Sequence, residues 1–331
     1  MNRMPLSPHA LTALIKAEAR KLGFAACGVA QASHVSEDEE AHLRRWLEEG
    51  KYADMHYMTH YLDKRLDPRK LMDGLKSIVS LAMNYAPERR LAPGEPQIAA
   101  YALGKDYHDV MKERIHRLAA FVSEQVGREL TYRAFVDSGP VLERYWAVQA
   151  GLGWVGRNHL LIIPKAGSEF FLGELFLDLD LDYDQPMPSR CGHCHQCIDQ
   201  CPTHALGDDH EFDAHLCLSY QTIENRGELS DNAKAKMGAY IYGCDRCQQA
   251  CPWNRFARPT TIAEFQPSDE LLSMTRQRWE RLSEDDYRRL FKGSAVKRAK
   301  YAGLMRNIHN MSAQANAATL RANDEPHPAD P

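Results

Sequence analysis

CGHCHQCIDQCP, at residues 191–202, is the most informative segment of this 331-residue chain. It follows the spacing C-x2-C-x2-C-x3-C-P, which is typical of bacterial ferredoxins and predicts a [4Fe–4S] cluster. The reason is geometric, because the closely spaced thiolates of Cys191, Cys194 and Cys197 can wrap three irons of one cubane. In two-cluster ferredoxins the fourth cysteine, here Cys201, ligates the other cluster. The segment therefore also predicts a second cluster.

A second cysteine run near the C-terminal end of this block is incomplete. Cys244, Cys247 and Cys251 match the last three positions of the same pattern, but the first position is Ile241. Cys217 is the cysteine left over, and it is expected to supply the missing thiolate. We therefore predict two clusters that exchange their last ligands, one held by Cys191, Cys194, Cys197 and Cys251 and the other by Cys201, Cys217, Cys244 and Cys247.

Eight of the nine cysteines lie within residues 191–251. Structural zinc sites also use C-x2-C pairs and are the alternative interpretation, although zinc modules seldom show two x3-C-P endings. In a reducing compartment, such a block favours a metal site over disulfides. His193, His195 and His204 are expected to be loop residues, because each cluster already has four thiolates. The ninth cysteine, Cys27, is flanked by apolar residues and is expected in the core.

The composition is that of an ordinary globular protein, with 44% hydrophobic and 26% charged residues. The 41 Lys and Arg against 45 Asp and Glu give a net charge of −4, which excludes a basic shell over the whole protein but allows a local basic patch. No segment approaches the ~20 consecutive apolar residues of a membrane helix. The first 24 residues contain no apolar signal-peptide core. These features predict a cytoplasmic protein of about two domains.

Helical and strand-like patterns alternate up to about residue 185, which predicts an α/β domain. Helices are predicted at 8–22, 38–49, 106–126 and 139–151, and strands at 76–84, 131–137, 159–164 and 169–181, the last two joined by a turn at 165–168. Residues 182–190 contain two prolines and are interpreted as a linker. The predicted domains are 1–185, an α/β core; 186–262, the cluster domain; 263–311, a helical basic segment; and 312–331, a tail with the composition of a disordered segment.

Two features of the first domain have more than one interpretation. GLGWVG at 151–156 matches the dinucleotide-binding pattern G-x-G-x-x-G, but it follows a helix instead of a strand. We interpret it as a tight turn that brings the backbone close to something flat or bulky. Asp137 ends a predicted strand before Ser138-Gly139-Pro140, where it could cap the next helix or transfer a proton. Tyr107 and His108 could line the same cleft or pack in the core.

Several segments resemble the epoxyqueuosine reductase family. Similar stretches are VDSGPVLERYWAVQAGLGWVGRNHLLI at 136–162, GELFLD at 173–178, CGHCHQCIDQCPTHAL at 191–206, CLSYQTIE at 217–224, YGCDRCQQACPWN at 242–254 and SAVKRAKYAGLMRN at 294–307. Ferredoxin runs are widespread, but their combination with Asp-Ser-Gly-Pro and Gly-Leu-Gly-Trp is specific. The resemblance spans nearly the whole chain.

The resemblance implies an oxidoreductase that reduces epoxyqueuosine to queuosine at the wobble position of tRNA with cobalamin and two [4Fe–4S] clusters. It implies a nitroreductase-like α/β core that binds cobalamin without a protein ligand below the cobalt, followed by a ferredoxin-like domain and a helical segment. It also implies that Asp137 is the proton donor. The expected contacts to the corrin are Asp137, Asn158, Ser168, Ser219, Tyr242, Gly243, Cys244 and Asp245.

The segment 276–306 is basic, with ten Arg or Lys and four Asp or Glu. Alone, this pattern is typical of a solvated helix face. With the tRNA substrate that the resemblance implies, Lys297, Arg298, Lys300 and Arg306 are expected to contact phosphates. A reduced electron donor of unknown identity is the other expected partner, and the protein is expected to be monomeric.

Two other functions fit parts of the pattern. A reductive dehalogenase would share the corrin and the clusters, but such enzymes usually carry a twin-arginine export signal, which this sequence lacks. A plain iron–sulfur electron carrier would need neither Asp137 nor the large first domain. Both remain alternatives to the tRNA-modifying reductase.

Overall fold

The computed structural model describes residues 6–324. Its helices are α1 (Pro8–Lys21), α2 (Glu37–Glu48), α3 (Leu62–Leu66), α4 (Tyr107–Val126), α5 (Glu143–Gln149), α6 (Gln196–Asp199), α7 (Leu218–Ile223), α8 (Asp231–Lys236), α9 (Arg246–Gln249), α10 (Asp269–Leu272), α11 (Arg276–Glu280), α12 (Glu284–Leu290) and α13 (Lys300–Asp324). Its strands are β1 (Ala26–Gln31), β2 (Ser77–Asn84), β3 (Gln97–Ile98), β4 (Tyr132–Phe135), β5 (Trp154–Val155), β6 (Leu161–Ile162), β7 (Phe170–Leu177) and β8 (Tyr240–Tyr242). Within these residues, no helix has the length and apolarity needed to cross a membrane.

The centre of the first domain is an antiparallel sheet with the strand order β1-β2-β7-β4. Side chains alternate between its two faces, as the pleat of a strand requires. Val79 and Leu175 pack with α1 and α4, whereas Ile78 and Phe176 pack with Trp146 of α5 on the other face. The sheet is therefore covered by helices on both sides, which explains why β2 is buried along nearly its whole length.

Helix α4 positions part of the site. The Asp106 side chain accepts a hydrogen bond from the backbone N–H of His108 and caps the N-terminus, and Gly127 ends the helix in a left-handed conformation, φ +67°. Met111 and Ile115 are fully buried in the core. This packing fixes the first turn of α4 at the edge of the domain, with Tyr107 and His108 on it.

The strand pairing after α5 differs from the prediction. The predicted strands at 159–164 and 169–181 do not pair with each other as a hairpin. Instead β6 pairs with β5, and β7 is a central strand of the main sheet. The glycines of 151–156 make this possible, because a Cβ on Gly153 would lie 2.1 Å from the Ile162 carbonyl oxygen. The segment is thus a turn with a close backbone approach, as predicted, but its neighbour is the backbone of β6 instead of a flat or bulky group.

The cluster domain and the C-terminal helices share one hydrophobic core. Ile241 and Tyr242 of β8 pack with Trp279, Phe291 and Leu304 of the C-terminal helices. Residues 91–103 of the predicted first domain join the same core, and β3 within them pairs in parallel with β8. Helix α13 continues through Asp324, so residues 312–324, which were predicted to be a disordered tail, are helical. Residues 325–331 of that predicted tail lie outside the described residues.

Candidate functional site

The structure brings together the four cysteines predicted to hold the first cluster. A cavity of about 220 Å³ is lined by the thiols of the 191–197 run and by Cys251, together with Arg157, Asn158 and Trp253. Cys251 comes from the segment after α9, more than fifty residues further along the chain. Thiols that converge on a cavity from two segments are the donor set that an iron–sulfur cubane requires.

The other four cysteines form a second group, in which Cys201 is buried and the others are half-buried. Cys247 lies close enough to Cys244, Cys217 and Cys201 for each of these thiolates to raise its pKa further, after the larger effect of burial. Burial also raises the pKa of Cys244 to about 12. Thiolates in such surroundings need a compensating cation, which an iron cluster supplies. Among the described residues, no three His, Cys, Asp or Glu side chains are placed to hold a single metal ion.

Asp137 lies at the apex of a tight turn between β4 and α5. The Ser138 N–H donates to the Val136 carbonyl at 2.5 Å, and Asp137 has a left-handed backbone, φ +56°. Helix α5 begins only at Glu143, so Asp137 does not cap it, and the capping interpretation was wrong. A strained non-glycine residue in a turn is a feature that functional sites often keep.

Two side chains of α4 contact the Asp137 carboxylate. The Tyr107 hydroxyl donates to Asp137 Oδ2 at 2.6 Å, and His108 Nε2 is 3.5 Å from the same oxygen. His108 Nδ1 is 2.6 Å from Asp106 Oδ1, so both ring nitrogens face carboxylates. The Asp137 side chain is nevertheless 61% exposed, so the group is open to solvent.

These contacts determine where the proton resides. Partial desolvation raises the pKa of Asp137, but the hydrogen bonds from His108 and Tyr107 outweigh it and hold this pKa below its ordinary value. The hydrogen bonds to Asp106 and Asp137 raise the pKa of His108 to about 9. At neutral pH, Asp137 is therefore a carboxylate and His108 an imidazolium. The two residues together form an acid, with its mobile proton on His108.

Tyrosines connect this acid to the second cysteine group. The Tyr101 hydroxyl donates to the Tyr242 hydroxyl at 3.2 Å, and Tyr242 precedes Cys244 by two residues. The ring of Tyr101 is 6.4 Å from that of Tyr107, which binds Asp137. We call the solvent-open surface formed by Asp137, Tyr107 and His108 the Asp137 recess. It shares a wall of aromatic side chains with the second cysteine group.

The residues predicted to contact a corrin are distributed over two places. Tyr242, Gly243, Cys244 and Asp245 lie beside the second group, where Gly243 N–H donates to Thr222 of α7, the helix that carries Ser219. Asn158 lies on the first cavity, buried, and its Nδ2 has no hydrogen-bond partner among the described residues. Ser168 is buried and hydrogen-bonds to Asn254 and Gln248, which follow Cys247 in the sequence.

The four predicted phosphate contacts have different environments. Lys297 and Lys300 are exposed. Arg298 forms a two-pronged ion pair with Glu224 at 2.7 Å, and its charge also lowers the pKa of Asp137, which places it on the side of the recess. Arg306 is half-buried and donates to the carbonyls of Gln221 and Asn225. The structure therefore uses Arg306 to hold the 221–227 segment.

Two carboxyl groups behind Asp137 were not identified from the sequence. Glu143 Oε1 accepts a hydrogen bond from the Asp137 backbone N–H at 2.5 Å. Glu174 is fully buried on β7, where it lies opposite Ser80 of β2 and receives no hydrogen bond from an N–H or hydroxyl group of the described residues. Burial and the adjacent Glu143 raise the pKa of Glu174 well above its ordinary value. A protonated Glu174 can therefore hydrogen-bond to Glu143 and orient it.

Replacing Glu143 should show whether this residue positions Asp137 or contributes to substrate binding. In Glu143→Ala the Asp137 N–H loses its acceptor, and a displacement of the carboxylate by about 1 Å should lower kcat by about 10²-fold. Glu143→Gln keeps the acceptor oxygen and should retain most of kcat. KM should stay the same in both variants, as measured by steady-state kinetics. Equal losses in the Ala and Gln variants would contradict this role.

Comparison with known proteins identifies one family over most of the chain. A family model described as "Epoxyqueuosine reductase QueG, DUF1730" matches residues 65–138, and a "4Fe-4S double cluster binding domain" matches residues 190–254. Epoxyqueuosine reductases of Cellulophaga algicola and Pseudomonas aeruginosa are 47% and 42% identical to this chain, over 89% and 93% of its length and 96% and 86% of theirs.

Solved structures of similar proteins extend the agreement to three dimensions. A crystal structure of epoxyqueuosine reductase with an epoxyqueuosine-modified tRNA-Tyr stem loop has a TM-score of 0.84 and 26% identity, covering 95% of this chain and 84% of that one. The epoxyqueuosine reductase of Streptococcus thermophilus has a TM-score of 0.83 and 28% identity, covering 95% and 86%.

The fold and the site define an oxidoreductase in which a double [4Fe–4S] cluster-binding domain is attached to a core with a solvent-open acid. The chain belongs to the epoxyqueuosine reductase family. This confirms the predicted family, the oxidoreductase class and the α/β core followed by a ferredoxin-like domain and a helical segment.

Proposed function

We propose that this protein reduces epoxyqueuosine to queuosine at the wobble position of tRNA. The observation that carries the proposal is the acid formed by Asp137 and His108 next to the second cysteine group, with tyrosines between them. Opening an epoxide and removing its oxygen takes two electrons and two protons, so such a site must combine electron delivery with an acid. The activity of the similar proteins supports the same reaction.

Two [4Fe–4S] clusters are proposed to carry the electrons, ligated as the cysteine spacing predicts. The first set lines one cavity and consists of Cys191, Cys194, Cys197 and Cys251. The second set is the second cysteine group, Cys201, Cys217, Cys244 and Cys247. We propose that residues 1–185 form the catalytic core and 186–262 the cluster domain, although residues 91–103 pack with the latter.

Cobalamin is proposed as the cofactor in the Asp137 recess. The residues fit it in two respects: the recess is open to solvent beside the second cysteine group, and both nitrogens of His108 are engaged by carboxylates, so no imidazole is free to ligate the metal from this position. Asp137, Ser219 and the 242–245 segment would hold it on this side. Asn158 lines the first cavity, and Ser168 is buried against Asn254 and Gln248, so neither is included in this proposal. When bound, cobalamin supplies strongly reducing, nucleophilic cobalt chemistry.

The chain's own residues manage the proton. Asp137 faces the substrate as a carboxylate. The protonated His108 lies behind it, with Nε2 3.5 Å from Asp137 Oδ2. As negative charge develops on the epoxide oxygen, a proton that passes from His108 through Asp137 converts it to a hydroxyl group. A second proton, taken up from solvent by the same solvent-open pair, then lets the oxygen leave as water. Tyr107 holds the carboxylate in place by its 2.6 Å hydrogen bond.

The substrate is proposed to be a tRNA anticodon loop. A similar protein has been solved with an epoxyqueuosine-modified tRNA stem loop. In this chain, the exposed Lys297 and Lys300 could contact phosphates, and Arg298 stands on the side of the recess. Arg306 is proposed to support this surface from within, through the carbonyls that it binds.

The direct test is anaerobic reconstitution with iron, sulfide and cobalamin, followed by incubation with epoxyqueuosine-bearing tRNA and a chemical reductant. We expect queuosine in the nucleoside digest, detected by mass spectrometry. Failure to form queuosine with both cofactors loaded would reject the proposal.

The pH dependence of kcat/KM should report the proton on His108. Because the raised pKa of His108 is about 9, the rate should fall as the pH rises through that value. The hydrogen bond to Asp106 is the largest cause of this raised pKa, so Asp106→Asn should move the fall to lower pH while still capping α4. A profile that does not move in this variant would show that His108 is not the proton source.

A further inference from the structure

The first cysteine cavity opens onto a surface rich in arginine. Three arginines line it, Arg157, Arg190 and Arg255, and no acidic residue does so in the described part of the chain. Arg190 and Arg255 are exposed, and Cys191 and Cys194 are themselves only half-buried. In a chain with a net charge of −4, this is a local concentration of positive charge next to partly accessible thiols.

Two aromatic side chains belong to the same surface. Trp253 and Phe256 line the cavity beside the cysteines. The Arg255 guanidinium lies 4.6 Å from the centroid of the Phe256 ring, and the Trp253 ring packs 4.9 Å from that of Trp154. Aromatic side chains and arginines are the residues that protein–protein interfaces favour. We call Arg157, Arg190, Arg255, Trp253 and Phe256 the arginine rim.

The arginine rim belongs to the cluster site that is away from the acid. The second cysteine group is the one that shares an aromatic wall with Asp137, through Tyr242 and Tyr101. A tRNA base must reach Asp137, whereas electrons must enter at the other end of the relay. The first set lines a cavity beside the exposed Arg190 and Arg255, so it is the point where an external donor can come close.

We propose that the arginine rim is the docking surface for a small acidic electron-carrier protein, which reduces the cluster held by the first cysteine set. This inference rests on the proposed function. Each encounter oxidises the carrier by one electron and reduces the cluster by one electron, and two encounters supply the electron pair that one epoxide consumes. Opposite charges on the two proteins accelerate the encounter and make it sensitive to salt.

Charge reversal on the rim tests the proposal. Arg190→Glu/Arg255→Glu is the informative variant, because both side chains are exposed and the Arg157 hydrogen bond to the Gly192 carbonyl is left intact. The probe is a photoreduced acidic flavodoxin, and stopped-flow absorbance follows cluster reduction in the reconstituted full-length protein. We expect the bimolecular rate to fall by about tenfold or more at low ionic strength and the difference to vanish at high salt.

Two controls make the result specific. Arg281→Glu/Lys292→Glu reverses two exposed charges among the C-terminal helices and should leave the flavodoxin rate unchanged. A neutral deazaflavin radical should reduce wild type and both variants equally. An unchanged flavodoxin rate in Arg190→Glu/Arg255→Glu would overturn the proposal, as would slow reduction by both reductants. A loss of affinity for the tRNA stem loop instead would make the rim an RNA surface.

These outcomes are independent of the proposed function. The assay reads cluster reduction, whereas queuosine formation is measured with a chemical reductant that needs no docking. Docking can therefore fail while epoxide reduction persists. If wild type formed no queuosine but still accepted electrons from flavodoxin with the expected salt dependence, the proposed function would fail and the docking surface would stand.

Discussion

Asp137→Asn should lower kcat by about 10³-fold, equivalent to about 4 kcal/mol of transition-state stabilisation. Asparagine tolerates the left-handed backbone of this position, φ +56°, so the turn should remain intact. The amide cannot relay a proton from His108 to the epoxide oxygen. Single-turnover formation of queuosine, measured with both cofactors loaded, is the appropriate readout.

Cofactor content distinguishes loss of chemistry from loss of structure. Asp137→Asn and Asp137→Ala should retain iron and cobalamin, measured by metal analysis and absorbance. Asp109→Asn is a matched control, because Asp109 is an exposed carboxylate on α4, next in sequence to His108. It should behave as wild type. Loss of cobalamin in the Asp137 variants would make Asp137 a structural residue instead of a proton donor.

Cys217→Ala should remove one cluster and abolish turnover. Cys217 is the only proposed ligand that lies outside the two cysteine runs, and it comes directly before α7. Without it the second cluster has three thiolates, so iron content should fall by about half. Because the second group is the one next to the Asp137 recess, electrons held by the first cluster should no longer reach the substrate.

A second cysteine variant tests the exchange of ligands between the runs. Cys251→Ala should damage the cluster of the first set, although Cys251 belongs to the same run as Cys244 and Cys247. Low-temperature EPR of the reduced protein should then show the signal that Cys217→Ala lacks. Cys27→Ser is the control, since this thiol packs against the core of the first domain. Unchanged iron content in Cys217→Ala would refute the proposed ligand sets.

Much of the local structure follows from the sequence because its signals are local. The Asp106 cap and Gly127 mark the ends of α4 within a residue of the prediction, and the apolar run at 76–84 is β2. The glycines at 151–156 were correctly interpreted as a turn. The pairing of β6 was wrong, because a short apolar strand does not specify which neighbour it joins.

The cysteine pattern can be identified from the order of the residues alone, since cluster ligands a few residues apart are constrained by the chain between them. The chemistry around Asp137 depends instead on how the chain folds. The turn after β4 meets the first turn of α4, and Glu143 and Glu174 meet behind it, although these groups are far apart in sequence. Charge states depend on distances through space and on burial, so they emerge only when the sheet and α4 pack together.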